Sequence, residues 1–325
     1  MPTRRDVLAT AGLALIARAR PVRAQDGYPE RPIRILVGYP AGGGVDIVAR
    51  LFAEPMKATL GQSVIVENRA GASGMIAAAA VAKSPPDGLT LLMAASGEVA
   101  INQHLYKDKM SYDPPRELVA VALIGIVPCV VVVATATPVR TAAELIAYAR
   151  ANRGRLSFSS SGIGNPQQLA GSMAGTDVLH VPYRGAAPAV TDVATGAVTM
   201  SFSSLAAALP LIQDGRLRAV AVTSRQRMPQ LPDAAPLAEA AVELGGYELL
   251  NWFGLFAPAA TPSPIVARLN EIVVRGLRDR AISETLDAQG IVPRIMTPGQ
   301  YREFVAAETE KFGKIVAQAN IKVEN

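Results

Sequence analysis

The chain has 325 residues, half of them apolar and 18% charged, which excludes a disordered protein and allows two domains of ordinary size. Aromatic residues make up 5%, too few for the stacking surfaces that bind single-stranded nucleic acid. The net charge of +5 comes mostly from the first 24 residues. Removing their five arginines and one aspartate leaves 27 basic against 26 acidic residues, so no nucleic-acid partner is expected.

Residues 1–24 have the three parts of an export signal. Basic residues, with Arg4 and Arg5 side by side, precede an apolar core of 11 residues, and small residues follow up to Ala24. This core is too short to span a bilayer as a helix. The paired arginines fit the twin-arginine route for folded proteins, and a general secretory signal fits the same residues. Either route predicts cleavage after Ala24 and a periplasmic protein.

Apolar runs with strand character alternate along the chain with segments that carry apolar residues at helical spacing. This alternation predicts an α/β protein with mainly parallel sheets flanked by helices. The C-terminal segment from Thr297 begins with a Thr-Pro helix start and predicts a helix packed on one lobe. Ten strands are predicted, at residues 33–39, 64–69, 90–95, 119–127, 130–136, 156–161, 178–183, 198–204, 217–224 and 252–258.

A sequence pattern that occurs twice, here called the echo, divides the chain into two parts. A strand, a glycine- or serine-rich loop and a helix start follow one another at residues 35–51, and again about 120 residues later at 156–171. We therefore predict two similar lobes with joins near Val127–Pro128 and within the proline-rich segment 224–236. Lobe 1 is then formed by residues 28–127 and 228–325, and lobe 2 by residues 128–227.

The first loop of the echo, "YPAGGGVDIVAR" at residues 39–50, has three consecutive glycines before a helix that Asp46 opens. Free N–H groups and the positive end of the helix dipole predict a site for an anion there. A dinucleotide fingerprint would need glycine where Ile47 stands, and the lysine of a phosphate loop is absent. A glycine-rich turn without a ligand is the structural alternative.

The second loop, "SFSSSGIGNPQQL" at residues 157–169, supplies hydroxyl groups, two glycines and an Asn165-Pro166 pair. Asparagine before proline is typical of a helix N-cap followed by the first helical position. A solvated turn is the plain interpretation of this loop. Together, the two loops predict helix ends that face one cleft and hold one small anionic ligand.

Other strand ends carry smaller candidates, because ligands of doubly wound sheets bind at the carboxyl ends of strands. These candidates are Ser73, Ser96, Tyr183, Arg184, Gly185, Ala186 and Ser204.

Catalytic patterns are mostly missing from the sequence. The two histidines, His104 and His180, are interpreted as a helix-face and a packed strand residue, and the lone Cys129 as a buried strand residue. No His/Cys cluster has metal-ligand spacing, and no nucleophile elbow occurs. We therefore expect a binding protein without metal or cofactor rather than an enzyme.

Several of these stretches resemble one known family. "YPAGGGVDIVAR", "KSPPDGLTLLMAA", "HVPYRGAAPAVTDVATGAV" and "WFGLFAPAATPSPIVARLN" are similar to segments of the Bug (TctC-like) receptors, the substrate-binding proteins of tripartite tricarboxylate transporters. The resemblance covers essentially all of residues 28–325 in the same order.

The resemblance implies a two-lobed periplasmic binding protein of type II, a monomer that closes on a small carboxylate and delivers it to a membrane permease. It implies that main-chain amides and hydroxyls of both loops hold the carboxylate. From the residues of this chain, Arg184 is the candidate partner for a second carboxylate. This chain has Gln167 and Gln168 where the family has a hydroxyl residue and histidine, and a shorter helix is expected there. The carboxylate contacts carried over are Tyr39, Ala41, Gly42, Gly43, Gly44, Asp46, Ser161, Gly162, Gly164 and Asn165.

Two other functions stay open at the level of sequence. One is a dinucleotide-dependent oxidoreductase that uses the glycine loop at 42–44. The other is an orphan receptor that passes its signal to a sensor kinase instead of a permease.

Overall fold

A computed structural model describes residues 27–174, 177–319 and 321. The predicted export signal lies outside these residues. The described residues form eleven strands: β1 (Ile33–Val37), β2 (Val64–Asn68), β3 (Thr90–Ala95), β4 (Leu118–Ala134), β5 (Ser157–Ser160), β6 (Leu179–Pro182), β7 (Met200–Ser204), β8 (Leu217–Val222), β9 (Ala235–Pro236), β10 (Leu250–Pro258) and β11 (Val292–Pro293).

Eleven α-helices accompany the strands in the same part of the chain. They are α1 (Gly44–Leu60), α2 (Met75–Ala82), α3 (Asn102–Leu105), α4 (Pro114–Glu117), α5 (Ala142–Ala151), α6 (Pro166–Met173), α7 (Ala186–Ala194), α8 (Leu205–Gln213), α9 (Ser263–Leu277), α10 (Arg280–Ala288) and α11 (Pro298–Gln318).

The first sheet has the strand order β2-β1-β3-β10-β4-β11. Strands β2, β1 and β3 are parallel, whereas β10 runs antiparallel to both β3 and β4, and β11 antiparallel to β4. The second sheet has the order β9-β8-β4-β7-β5-β6, with β4 again antiparallel to its neighbours. The predicted α/β sheets are thus mixed rather than mainly parallel, because β10 and β11 run against the other strands of the first sheet and β4 runs against those of the second.

Strand β4 belongs to both sheets. It pairs with β10 as far as Pro128 and with β7 from Cys129 onward. The two runs predicted at 119–127 and 130–136 are one strand of 17 residues, because Pro128 stands where the pairing changes sheet and keeps the backbone extended.

The lobe boundaries at 127/128 and 227/228 stay predictions. Strand β9 pairs with β8 in the second sheet, and the Leu249 N–H donates to the Thr223 carbonyl. We therefore propose that the second join lies near Leu249–Leu250, later than the predicted 224–236.

The helix ends follow local sequence signals. Helix α1 ends at Gly61, whose φ of 69° is the left-handed conformation that glycine adopts without strain. Helix α11 begins at a capping box in which Thr297 and Gln300 satisfy each other's backbone N–H groups. Its Tyr301 packs edge-on against Trp252 of β10, with ring centroids 6.0 Å apart. The predicted C-terminal helix thus lies on the first sheet.

Candidate functional site

A cavity of about 430 Å³ lies between the two sheets. This volume is within the range of roughly 300–1,000 Å³ of small-molecule sites. The first sheet and its loops contribute Tyr39, Pro40, Ala41, Gly42, Gly43, Gly44, Val45, Ala95, Asn251 and Phe253. The second sheet and its loops contribute Ser161, Asn165, Pro166, Gln167, Arg184, Gly185, Ala186, Ala187, Pro188, Ser204, Ala206, Ala207 and Pro210.

The glycine loop and the first turn of α1 form one wall of the cavity. Gly42 has a φ of 81°, which only glycine adopts readily, and a Cβ on it would meet no atom within 4 Å. A Cβ on Gly44 would lie 3.1 Å from the Phe253 ring, so this ring packs directly under the helix start. The N-cap residue Gly43 brings no side-chain cap to α1. The first N–H groups of this helix therefore depend on water or a ligand.

Asp46 holds this loop from behind. Its carboxylate accepts from the Gly42 N–H at 2.9 Å and from Asn68 Nδ2 at 2.9 Å, and it pairs with Arg50 at 3.0 Å. Burial opposes ionisation of Asp46, but the hydrogen bonds from Arg50, Gly42 and Asn68 together hold its pKa below the ordinary value. Asp46 is thus a support for the glycine loop and does not line the cavity.

The opposite wall begins at the N-cap of α6. Asn165 Oδ1 accepts from the Gln168 N–H at 3.0 Å, and Gln168 Oε1 accepts from the Gly164 N–H at 2.7 Å. Asn165 Nδ2 donates to Ser161 Oγ at 3.1 Å, and this hydroxyl donates to Gln167 Oε1 at 3.3 Å. The predicted N-cap is confirmed, and α6 is short, with eight residues.

Four helices start at the cavity, namely α1, α6, α7 and α8. Each helix start carries a partial positive charge and N–H groups that lack intrahelical partners. Among the described residues that line the cavity, Arg184 is the only charged side chain. The electrostatic environment therefore favours an anion.

Eleven of the predicted site residues line the cavity, and six do not. The eleven are Tyr39, Ala41, Gly42, Gly43, Gly44, Ser161, Asn165, Arg184, Gly185, Ala186 and Ser204. Contact between these residues and a ligand stays a prediction. The six outside the lining are Asp46, Ser73, Ser96, Gly162, Gly164 and Tyr183.

Internal hydrogen bonds engage the polar groups of four of these six residues. Ser96 Oγ donates to Asn251 Oδ1 at 2.8 Å, and Tyr183 Oη donates to Asp192 Oδ2 at 2.6 Å. The N–H groups of Gly162 and Gly164 are taken by Ser160 and Gln168.

Ser73 lies where the two halves of the molecule touch beside the cavity. Its hydroxyl donates to the Ile163 carbonyl, which precedes α6. Close by, a Cβ on Gly97 would lie 3.1 Å from the Gly164 carbonyl oxygen. Ser73 is therefore placed to connect the walls of the cavity, and the prediction that it contacts the ligand is not supported by its position.

Sequence reasoning missed the residues that strand β10 contributes. Asn251 and Phe253 lie inside an apolar run with no loop signal, and Ala95 ends β3 next to them. Pairing of β10 with β3 and β4 brings these residues to the floor of the cavity. Five small apolar residues that follow the first residue of α7 or α8 were missed as well, because such residues resemble ordinary core residues: Ala187, Pro188, Ala206, Ala207 and Pro210.

A buried carboxyl group lies behind Tyr39. Glu98 is fully buried, and its Oε2 accepts from Tyr39 Oη at 2.7 Å, while its Oε1 accepts from the Ala95 N–H at 2.9 Å. Burial raises the pKa of Glu98 to about 7, against the lowering effect of these hydrogen bonds.

The histidines and the cysteine lie away from the cavity lining. His104 Nε2 is 2.8 Å from the Thr309 carbonyl, and His180 stacks on Phe158. Burial lowers the pKa of His180 to about 4, and burial raises that of the Cys129 thiol to about 12. In the described part of the chain, no group of three or more His, Cys, Asp or Glu side chains could hold a metal ion.

Residues 48–321 match the family of tripartite tricarboxylate transporter family receptors. The chain belongs to this receptor family. The receptor is 35% identical to the protein BugT of Bordetella pertussis, over 98% of this chain and 96% of BugT.

Two solved structures have a similar fold. Rpa4515 of R. palustris with adipate has a TM-score of 0.86 and 35% identity, covering 91% of this chain and 99% of that protein. MatC from Rhodopseudomonas palustris with bound malate has a TM-score of 0.81 and 30% identity, covering 89% and 100%. The comparisons confirm the predicted Bug/TctC-like family and its α/β, two-lobed binding-protein fold. No helix within residues 27–174, 177–319 and 321 is long and apolar enough to cross a bilayer.

Proposed function

We propose that this receptor captures a small organic carboxylate in the cavity and delivers it to a membrane permease of the tripartite tricarboxylate type. The observation that carries the proposal is the convergence of four helix starts on a cavity in which Arg184 is the one charged side chain among the described lining residues. Helix starts stabilise anions through N–H groups and dipoles, without a charged clamp. We further propose that the receptor acts as a monomer in the periplasm, after export by either route.

The apolar part of the cavity lining indicates how polar the ligand is beyond its carboxylate group. The methyl side chains of Ala95, Ala186, Ala187, Ala206 and Ala207 are apolar, and these methyl groups offer no hydrogen-bond partner to the ligand body. A hydroxyl or amino group buried against them would lose its hydrogen bonds with water and gain none. We therefore expect a carboxylate on a carbon chain or ring to bind more tightly than a polyhydroxylated acid.

The two alternative functions differ in what supports them. An oxidoreductase would need a positioned base, and the described lining contains neither histidine nor an acidic side chain. A receptor that signals to a sensor kinase would use the same cavity and differs only in its protein partner. The proposal of permease delivery rests on the family to which the chain belongs.

A thermal-shift panel tests the proposal. The purified protein is heated with adipate, malate, citrate, benzoate or NAD, and with hexylamine as a cationic control. An acid at a hundredfold excess over its Kd stabilises the folded state by about 2.7 kcal/mol and raises the Tm measurably. At least one acid should raise the Tm, and hexylamine should not. Stabilisation by NAD with none by any acid would contradict the proposal.

A further inference from the structure

Asn251 places a polar side chain on the floor of the cavity. Neither the comparison with the family nor the loop pattern assigns a role to this side chain. It lies on β10 opposite Val127, at the end of the strand where the chain enters the first sheet. Only 5% of the residue is exposed, and it lines the cavity.

Three hydrogen bonds fix which way the Asn251 amide points. Its Oδ1 accepts from the Trp252 N–H at 2.8 Å, from the Ser96 N–H at 3.3 Å and from Ser96 Oγ at 2.8 Å. Because a backbone N–H can only donate, the atom that faces these two N–H groups must be the amide oxygen. Turning the amide over would break the two bonds from the Trp252 and Ser96 backbone N–H groups at a buried position, which is costly.

The fixed orientation leaves the amide nitrogen without a protein partner. Among the described residues, Nδ2 donates no hydrogen bond, and it is not one of the buried polar atoms that are closed off from solvent without a partner. Since the residue is otherwise buried and lines the cavity, Nδ2 opens onto the cavity. Its two N–H groups form a donor-only position in a floor that is otherwise made by Ala95 and Phe253.

We propose that Asn251 determines specificity by donating a hydrogen bond from Nδ2 to a carboxylate oxygen of the ligand. The inference rests on the proposed function and adds a side-chain donor to the main-chain N–H groups of the helix starts. The donor is held in place before the ligand arrives, so little conformational entropy is lost on binding. A ligand whose floor-facing group is itself a donor is rejected, because the amide cannot present its oxygen instead.

The variant Asn251→Asp tests this role with little change of shape. One carboxylate oxygen can still accept from Trp252 and Ser96, while the other presents an acceptor where the donor was. The Kd for adipate, or for any other acid of the panel that binds the wild-type protein, is measured by titration calorimetry at pH 8. We expect it to rise roughly tenfold or more, as for loss of a hydrogen bond to a charged group. Ser96→Ala is the matched control, which removes one bond to Oδ1 and should change the Kd less than threefold.

A pH series separates a donor role from a merely structural one. At pH 5.5 the introduced carboxyl begins to be protonated beside an anionic ligand and can then donate, so the ratio of variant to wild-type Kd should fall. The inference is overturned if the ratio of the two Kd values is the same at pH 8 and pH 5.5, or if Asn251→Asp leaves the Kd unchanged. In either case, binding of an acid by the wild-type protein still upholds the proposed function. If no acid binds the wild-type protein, the proposed function itself fails.

A double variant covers the case in which Asn251→Asp does not fold. Asn251→Ala with Ser96→Ala removes the amide together with the hydroxyl that depends on it. The same loss of affinity is expected, and wild-type affinity in this folded variant overturns the inference.

Discussion

The buried Glu98 predicts a pH dependence of stability that one substitution should remove. The carboxyl group is fully buried, and among the described residues its hydrogen-bond partners are Tyr39 Oη, the Ala95 N–H and its own backbone N–H, with no cation among them. Tyr112 and Tyr301 also lie near it, and both are neutral over the range considered. Burial raises its pKa from 4.5 to about 7. Glu98→Gln replaces the carboxyl with a neutral group of the same shape.

The sign follows from proton binding in the two states. Between pH 4.5 and 7 the folded protein holds a proton on Glu98 that the unfolded chain has released. The contribution of protonated Glu98 to the free energy of unfolding is therefore fully present below pH 4.5. This contribution is lost as the pH rises through 7, where the folded protein releases the proton. A shift of about 2.5 pKa units corresponds to about 3 kcal/mol at 1.36 kcal/mol per unit.

Urea unfolding at pH 5 and pH 8 measures this effect. Between these values the free energy of unfolding of the wild-type protein should fall by about 2–3 kcal/mol more than that of Glu98→Gln. Glu271→Gln is the matched control, since Glu271 is an exposed acid on α9 and its substitution should leave the wild-type pH dependence intact. Equal pH dependence in the wild-type protein and Glu98→Gln would refute the reasoning.

Three further substitutions test the walls of the cavity. Asn165→Ala removes the α6 N-cap and should lower the free energy of unfolding by about 1 kcal/mol, measured by urea unfolding; no change would contradict its capping role. Ser73→Ala removes the bond to the Ile163 carbonyl and should weaken acid binding several-fold in calorimetry, as expected for a contact worth about 1 kcal/mol between the walls; unchanged affinity would argue against that contact. Arg184→Gln should weaken binding of a dicarboxylate and make the Kd less sensitive to salt; an unchanged salt dependence would remove Arg184 from the site.

The loops of the site could be predicted because their signals are local. Glycines before a helix start, and asparagine before proline, specify turns and caps within a few residues, and the structure has α1 and α6 starting at these places. Side-chain direction at the strand ends was harder to predict. Tyr183 turns to Asp192 while its neighbour Arg184 lines the cavity, and Ser96 points to Asn251, so a polar residue at a strand end need not face the ligand.

The floor of the cavity could not be predicted, because it depends on contacts between distant segments. Asn251 is 155 residues from Ser96, and only the pairing of β10 with β3 and β4 brings them together. The antiparallel course of β4 through both sheets also has no local signal, since a fully apolar run fits parallel and antiparallel strands alike.

The central claim is that a carboxylate binds in the cavity between the two sheets, and a cavity-filling variant tests it most directly. Ala207→Phe places a large ring on the α8 wall of the cavity, whereas Ala281→Phe adds the same ring on the exposed face of α10, outside the lining. The Kd of the acid that raises the Tm most is measured by calorimetry for the wild-type protein and for both folded variants. The account predicts loss of binding in Ala207→Phe and wild-type affinity in Ala281→Phe. Equal affinity in all three proteins would place the ligand elsewhere and contradict the account.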